Sequence, residues 1–271
     1  MHNSEMIRLA FVAALLLVAG CPTSSVTRSY PEPAPQAVLD HLRALKERAP
    51  TLNAVTKTDV RVGGERANVE VSILAAWGGK LRFIAADPNH ATAADLASNG
   101  ERYCFVDVHA NCAECGAATA DTVARLVRIP LEPDQVVAVL MGATPLLEDA
   151  EAKVEASIEW QPAGGHEILT LKRGDAVQRV VLDGRDRRWD VLESQLTEGG
   201  KTRWKIRHKG FHEVKSAQGQ TVRVPADSIF EESGDNVRIS WREQQIGAPL
   251  AAGKFQLTPP PGLAACGEPK R

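Results

Sequence analysis

The sequence predicts a mainly β protein of the α+β class, in which one long antiparallel sheet carries a few short helices. Three observations carry that prediction. Strict apolar/polar alternation recurs in strand-length stretches through the second half of the chain. Glycine-centred turns separate those stretches at intervals of roughly 8–12 residues, the spacing of a meander. Helical periodicity is confined to short stretches in the first half. A single sheet with one apolar face must curl around a second sheet, a helix or a ligand to hide that face.

Taken in order, residues 36–49 read as the first helix. Val38, Leu42, Leu45 and Ala49 recur at helical spacing, with Asp40, Arg43, Lys46 and Glu47 on the other side, and Pro50 ends it. Strand-like runs follow at 54–62, 67–77 and 80–86, separated by Gly63-Gly64 and Gly78-Gly79. The second of these places Val69, Val71, Ile73, Ala75 and Trp77 on one face. Residues 87–118 are irregular: the pattern predicts a short helix at 93–98, a strand at 102–108 and then a cysteine-rich loop. Helical patterns return at 121–127 and 133–141, with Pro133 near a start and Gly142 just past an end. A half-barrel whose open side is covered by helices would take its lid from this middle part and from the first helix.

Residues 153–160 alternate without a fault, with Val154, Ala156, Ile158 and Trp160 on one side. Residues 203–208 do the same with Trp204, Ile206 and His208, and residues 236–242 with Val237, Ile239 and Trp241. Further strands are expected at 167–172, 177–183, 189–196 and 221–224. The tryptophan-bearing face is either plain core or a partly open pocket for apolar tails; the candidate lining is Val154, Ile158, Trp160, Trp204, Ile206, Val237, Ile239 and Trp241.

At the N-terminus a single basic residue, Arg8, precedes an apolar run from Leu9 to Ala19, too short to span a bilayer but suited to a signal-peptide core. The run ends in Val18-Ala19-Gly20-Cys21, which resembles the lipobox of bacterial lipoproteins. That resemblance implies cleavage before Cys21 and acylation of the cysteine by a diacylglycerol and an amide-linked chain such as palmitate. An ordinary secretory signal is the other reading. Residues 22–35, rich in Pro, Ser and Thr, read as an unpacked tether. The expected division is a signal peptide at 1–20, a tether at 21–35, one domain at 36–265 and a tail at 266–271.

A formal net charge of −2 argues against a nucleic-acid partner. Lipidation of Cys21 would leave Cys104, Cys112, Cys115 and Cys266, an even number that suggests disulfides in one of three connectivities. Cys112 and Cys115, with His109 and Cys104 nearby, have the spacing of a metal knuckle or a redox pair, but the second knuckle and the βαβ setting are missing. Gly199-Gly200-Lys201-Thr202 ends like a phosphate loop, yet Gln195 stands where its first glycine belongs, so a hairpin turn is expected. His208 and His212 are separated by a turn rather than a helix. No hydrolase or zinc-protease motif is present, and the reading is a non-enzyme without metal or cofactor.

The closing residues resemble the end of the lipoprotein-localisation factors LolA and LolB: Pro225 to Phe230, a strand from Asn236 to Gln245, Ile246-Gly247-Ala248-Pro249-Leu250, and Phe255 to Gly262. The late segment Gly142-Ala143-Thr144-Pro145-Leu146 also falls in that family's order. The resemblance implies an unclosed antiparallel β half-barrel with a helical lid, a phenylalanine strand near the C-terminus, and an apolar cavity for acyl chains. On that basis the expected protein is held at the outer membrane through acylated Cys21, faces the periplasm, and binds acyl chains or a lipidated client. The alternative is a scaffold lipoprotein whose sheet has a filled core.

Overall fold

The computed structural model describes residues 25–267 apart from 130, 149–153 and 233. The expected signal peptide, Cys21 and residues 268–271 lie outside the described residues. The chain opens with helices α1 (Pro35–Arg43) and α2 (Leu45–Arg48), then strands β1 (Thr51–Val62), β2 (Glu65–Ala76), β3 (Lys80–Ala86), β4 (Thr92–Asn99), β5 (Arg102–Asp107) and β6 (Cys112–Ala117). Helices α3 (Ala120–Val127) and α4 (Pro133–Leu140) follow. The second half comprises β7 (Glu155–Gln161), β8 (His166–Arg173), β9 (Ala176–Asp183), β10 (Asp190–Glu198), β11 (Lys201–Lys209), β12 (His212–Lys215), β13 (Thr221–Val224), β14 (Asp227–Glu232) and β15 (Asp235–Ile246), with β16 (Ala264–Ala265) last.

Fourteen strands form one sheet in the order β16-β6-β5-β4-β3-β2-β1-β15-β14-β11-β10-β9-β8-β7. All neighbours are antiparallel except β16, which runs parallel to β6. The order resolves into two meanders joined at one seam, where β1 pairs with β15 from Leu52↔Ile246 to Arg61↔Asn236. Register shifts at Val55/Thr56 on β1, Ala85/Ala86 on β3 and Val191/Glu193 on β10 mark bulges, which bend the strands and deepen the curl. The sheet does not close into a barrel. The fold is the open, antiparallel, mainly β architecture that the alternation predicts.

The inner face carries two apolar clusters. In one, α1 lays Val38 and Leu39 on Leu169, Leu171, Val180, Leu182, Trp189 and Val191 of β8–β10 and the loop before β10. In the other, α3, α4 and the hairpin β12–β13 cover β1–β3, β11, β14 and β15, burying Val136, Val137, Leu140, Met141, Ile206, Phe230 and Ile239. Gly142, at φ +79 after α4, turns the chain sharply. A Cβ there would sit 2.6 Å from Pro225 Cδ, so the close approach also demands glycine.

Several local expectations are corrected. Residues 93–98, read as a helix because they are alanine-rich, form β4, since pairing with β3 and β5 outweighs a weak intrinsic propensity. The cysteine-rich loop contains β6, held in register by pairing of Cys104 with Cys115 across β5 and β6. The single helix at 36–49 is broken at Ala44 into α1 and α2. Phe255 ends a short 3-10 turn, Ala252–Phe255, instead of starting a strand. The faultless alternation of β7 does not signal half-burial: β7 is the edge strand, with Ala156 exposed and Val154, Ile158 and Trp160 only partly covered.

Both edges are blunted, as an open sheet requires. At one, the Cys112–Cys266 disulfide staples β16 beside β6, spanning 154 positions of sequence. Residue 266, expected in a free tail, is therefore tied into the domain. At the other, residues of the expected tether dock. Val26 N donates to Pro162 O at 2.9 Å, and Trp160 Nε1 donates to Val26 O at 3.1 Å. Tyr30 meets Trp160 and Trp189 edge-on. Arg28 Nη2 donates to Glu167 Oε2 at 3.1 Å, and its Nε makes a charge contact with Oε1 at 2.8 Å. Glu167 has no exposed side-chain surface, so composition misled here: one arginine and one tyrosine suffice to pin a Pro/Ser/Thr stretch.

Because removal of one partner leaves a buried charge uncompensated, Arg28→Met should lower unfolding free energy by about 3–5 kcal/mol, read from urea midpoints. The double variant Arg28→Met/Glu167→Gln should regain part of that loss.

Candidate functional site

Beneath α3 the inner face leaves an apolar hollow of about 170 Å³. Its walls are Val60 of β1, Val69, Val71 and Ile73 of β2, Phe83 and Ala85 of β3, Ala94 and Leu96 of β4, Phe105 of β5, and Val237 and Ile239 of β15. Leu126 and Val127 of α3, with Ile129 after it, form the roof. Thr58 is the one uncharged polar residue in the lining. An apolar space with few polar groups stays dry and accepts hydrocarbon.

The roof is set by local chemistry. Thr119 N donates to Thr122 Oγ1 at 2.9 Å at the start of α3, and Val123 is buried beneath it. On the outer side Arg125 Nη1 donates to Glu114 Oε1 at 2.6 Å and Nη2 to Tyr103 Oη at 3.0 Å, latching the helix to β5 and β6. The hydrogen bond to Glu114 raises the Arg125 guanidinium above its ordinary pKa. Arg128, exposed and at φ +60, lies at the rim.

Elsewhere on the inner side the chain itself fills the trough. Residues 142–147 run through the inner side, and Gly142 to Pro145 are buried. Their backbone polar groups cannot reach water and are met by side chains from the sheet. His208 Nε2 donates to Ala143 O at 2.8 Å. Gln178 Nε2 donates to Pro145 O at 2.6 Å, and its Oε1 accepts from Leu147 N at 2.6 Å. The carbonyl of Ala143 requires the Nε2–H tautomer, so His208 Nδ1 accepts from Ser228 Oγ at 2.9 Å, which in turn accepts from Trp241 Nε1 at 3.1 Å. Burial drives the His208 pKa down to about 4.

The eight residues proposed as a cavity lining therefore separate. Val237 and Ile239 face the hollow. Trp204, Ile206 and Trp241 are buried in the core around it. Val154 and Ile158 pack against the α1 cluster, and Trp160 stacks with Tyr30 under Arg28 at 5.5 Å. His208, read as a surface or strand histidine, is a fully buried strand residue. Cys112 and Cys115 bond to different partners, giving Cys104–Cys115 and Cys112–Cys266. Gly199-Gly200 is the turn between β10 and β11. No group of three or more metal-ligating side chains occurs among the described residues.

Most wall residues of the hollow, among them Phe83, Leu96 and Phe105, were not singled out from sequence. The alternation of Val69, Val71 and Ile73 was the available signal for one wall.

An open, strongly curved antiparallel sheet with its helices on the inner side defines the LolA-type fold, and the chain shares it. Three solved structures align over most of their length: a LolA superfamily protein from Nitrosomonas europaea (TM-score 0.56, 9% identity, 83% of this chain and 99% of that one), a DUF1329 family protein from Desulfovibrio piger (0.53, 10%, 82% and 97%), and a domain from Vibrio parahaemolyticus described as an outer membrane lipoprotein-sorting protein (0.51, 8%, 81% and 94%). No family model and no curated protein matches the chain.

His208 gives an acid dependence. A folded-state pKa of about 4 against an ordinary 6.5 means that the unfolded chain binds the proton first. Stability should be complete above pH 6.5 and fall by about 3 kcal/mol as pH drops toward 4. Denaturant titrations at stepped pH should show that fall in the parent and a shallower one in His208→Gln.

Proposed function

We propose that this protein is a lipid-anchored envelope protein that binds acyl chains, free or on a lipidated client, in the hollow under α3, without covalent chemistry. The observation that carries the reading is the apolar, latched hollow, set in a fold shared with a protein described as a lipoprotein-sorting domain. Attachment through acylated Cys21 at the outer membrane, facing the periplasm, is part of the same proposal.

Magnitudes decide how the site would work. A cavity of about 170 Å³ matches one that holds benzene, so the closed state admits about six carbons. At roughly 0.8 kcal/mol per methylene that is about 5 kcal/mol, comparable to the cost of association itself. The hollow is open on one side, so a longer chain would run past it to the rim, while the Arg125 contacts to Glu114 and Tyr103 hold α3 over the covered part. The docked Val26 lies five residues after Cys21, a reach of at most about 18 Å. The β7–β8 edge would therefore ride close to the bilayer, suiting an acceptor at the membrane better than a carrier that crosses the periplasm.

A second reading rests on how much of the trough the chain fills with its own side chains: a scaffold lipoprotein with an incidental void. Mass spectrometry of the purified Cys21→Ser chain, equilibrated with palmitate-bearing vesicles, separates the two. Bound acyl chain that disappears in Ala94→Phe, which fills the hollow, supports the binding protein; no bound chain leaves the scaffold. Arg125→Ala should speed uptake of an environment-sensitive fatty-acid dye several-fold in stopped-flow fluorescence. Loss of the protein from the membrane fraction in Cys21→Ser checks the anchor.

A further inference from the structure

A second cleft, of about 230 Å³, lies between α1–α2, the loop before β10 and the hairpin β12–β13. It shares no lining residue with the hollow under α3. Four guanidinium-bearing residues line it: Arg48, Arg187, Arg188 and Arg223. Two have carboxylate partners, Arg188 with Asp186 at 2.7 Å and Arg223 with Asp190 at 2.8 Å. Among the described residues, Arg48 and Arg187 have no carboxylate within ion-pair distance.

Arg48 is the telling residue. It is half-buried, and its guanidinium faces the neutral ring of His41, with Nη1 and Nη2 each 3.2 Å from Nε2 and Nη2 3.2 Å from His41 O. His41 is kept neutral by burial and by the Arg48 charge, which lower its pKa. Three of the five guanidinium N–H groups are thereby used, and two remain for an acceptor in the cleft. The Arg48 hydrogen bonds go to neutral groups, with only the adjacent Glu47 charge offsetting its desolvation, so an anion brought into the cleft would stabilise it further. The same loop holds Asp186, Arg187 and Trp189 at φ +53, +57 and +54, a costly backbone that presents Arg187 at the cleft. Leu45, Met141 and Phe211 add apolar surface to the same lining.

We propose that this cleft is a separate binding site for an amphiphilic anion, one phosphate-class or carboxylate head carried on an apolar chain. Arg48, through a single one of its free N–H groups, and Arg187 take the head, and the apolar surface takes the chain. A soluble phosphate ester and a lipid head group share this chemistry, and the source is distinguished by the contribution of the chain.

The test is calorimetric titration of the full chain carrying Cys21→Ser with butyl phosphate, inorganic phosphate and butanol. Butyl phosphate should bind at least tenfold more tightly than inorganic phosphate, and butanol should give no heat. Arg48→Gln and Arg187→Ser should each weaken butyl phosphate at least tenfold. Arg187 is exposed, so its variant keeps the test valid if Arg48→Gln perturbs folding. Ala94→Phe, which fills the other hollow, should leave the affinity unchanged, so failure of the acyl-chain reading does not touch this one. Equal affinity in the parent and Arg187→Ser would overturn the site. Inorganic phosphate binding as tightly as butyl phosphate would overturn the lipid-like ligand, and loss of affinity in Ala94→Phe would move the ligand to the hollow.

Discussion

The structure depends on one buried strip of main chain. Residues 142–147 leave α4 and pass along the inner side of the sheet, and Gly142 to Pro145 are buried. His208 and Gln178, both fully buried, supply the missing hydrogen bonds from β11 and β9. Unpaired backbone groups in such a place would each cost about 1–3 kcal/mol. The strip is therefore fastened along its length, and it divides the trough into the α1 cluster on one side and the α3–α4 cluster on the other. Among the open spaces are an apolar hollow toward β3–β5 and a cationic cleft toward the loop before β10.

The two spaces differ in kind because their walls come from different parts of the chain. The hollow is built from strand positions of the first meander and of β15 across the seam, and roofed by one amphipathic helix, so its lining is almost wholly apolar. The cleft is built from helix ends, a strained loop and a hairpin, where guanidinium groups outnumber the carboxylates beside them. Curvature alone would give an open trough; helices, strip and hairpin convert it into two small compartments. The Arg125 contacts to Glu114 and Tyr103 keep the roof helix over the hollow.

Alternation made many of the strands legible, and glycine pairs made their turns legible, because both are consequences of local geometry. β3 and β13 were readable to the residue, and the helices at 120–127 and 133–140 nearly so. Failures fell where a long-range contact overruled the local pattern. Thr92–Asn99 is alanine-rich yet strand, because β3 and β5 each offer it a full ladder. β7 alternates as a half-buried strand should, yet it is an edge. The tryptophans on alternating strands pointed to one continuous lining, whereas the structure places Trp204 and Trp241 in the core and Trp160 on the edge strand.

The sequence by itself determined the class of fold: an antiparallel, one-face-apolar meander with short helices, since period-two patterning and turn chemistry act within a few residues of chain. It also marked Cys104, Cys112, Cys115 and Cys266 as candidates for pairing. Only the tertiary structure decided that β1 pairs with β15, that the two meanders become one open sheet, and which cysteines meet. Only the tertiary structure decided, too, that His208 and Gln178 hold a buried segment of backbone. Those outcomes rest on contacts between residues far apart in the chain, whose free energy is set by mutual burial and by the need to satisfy buried polar groups.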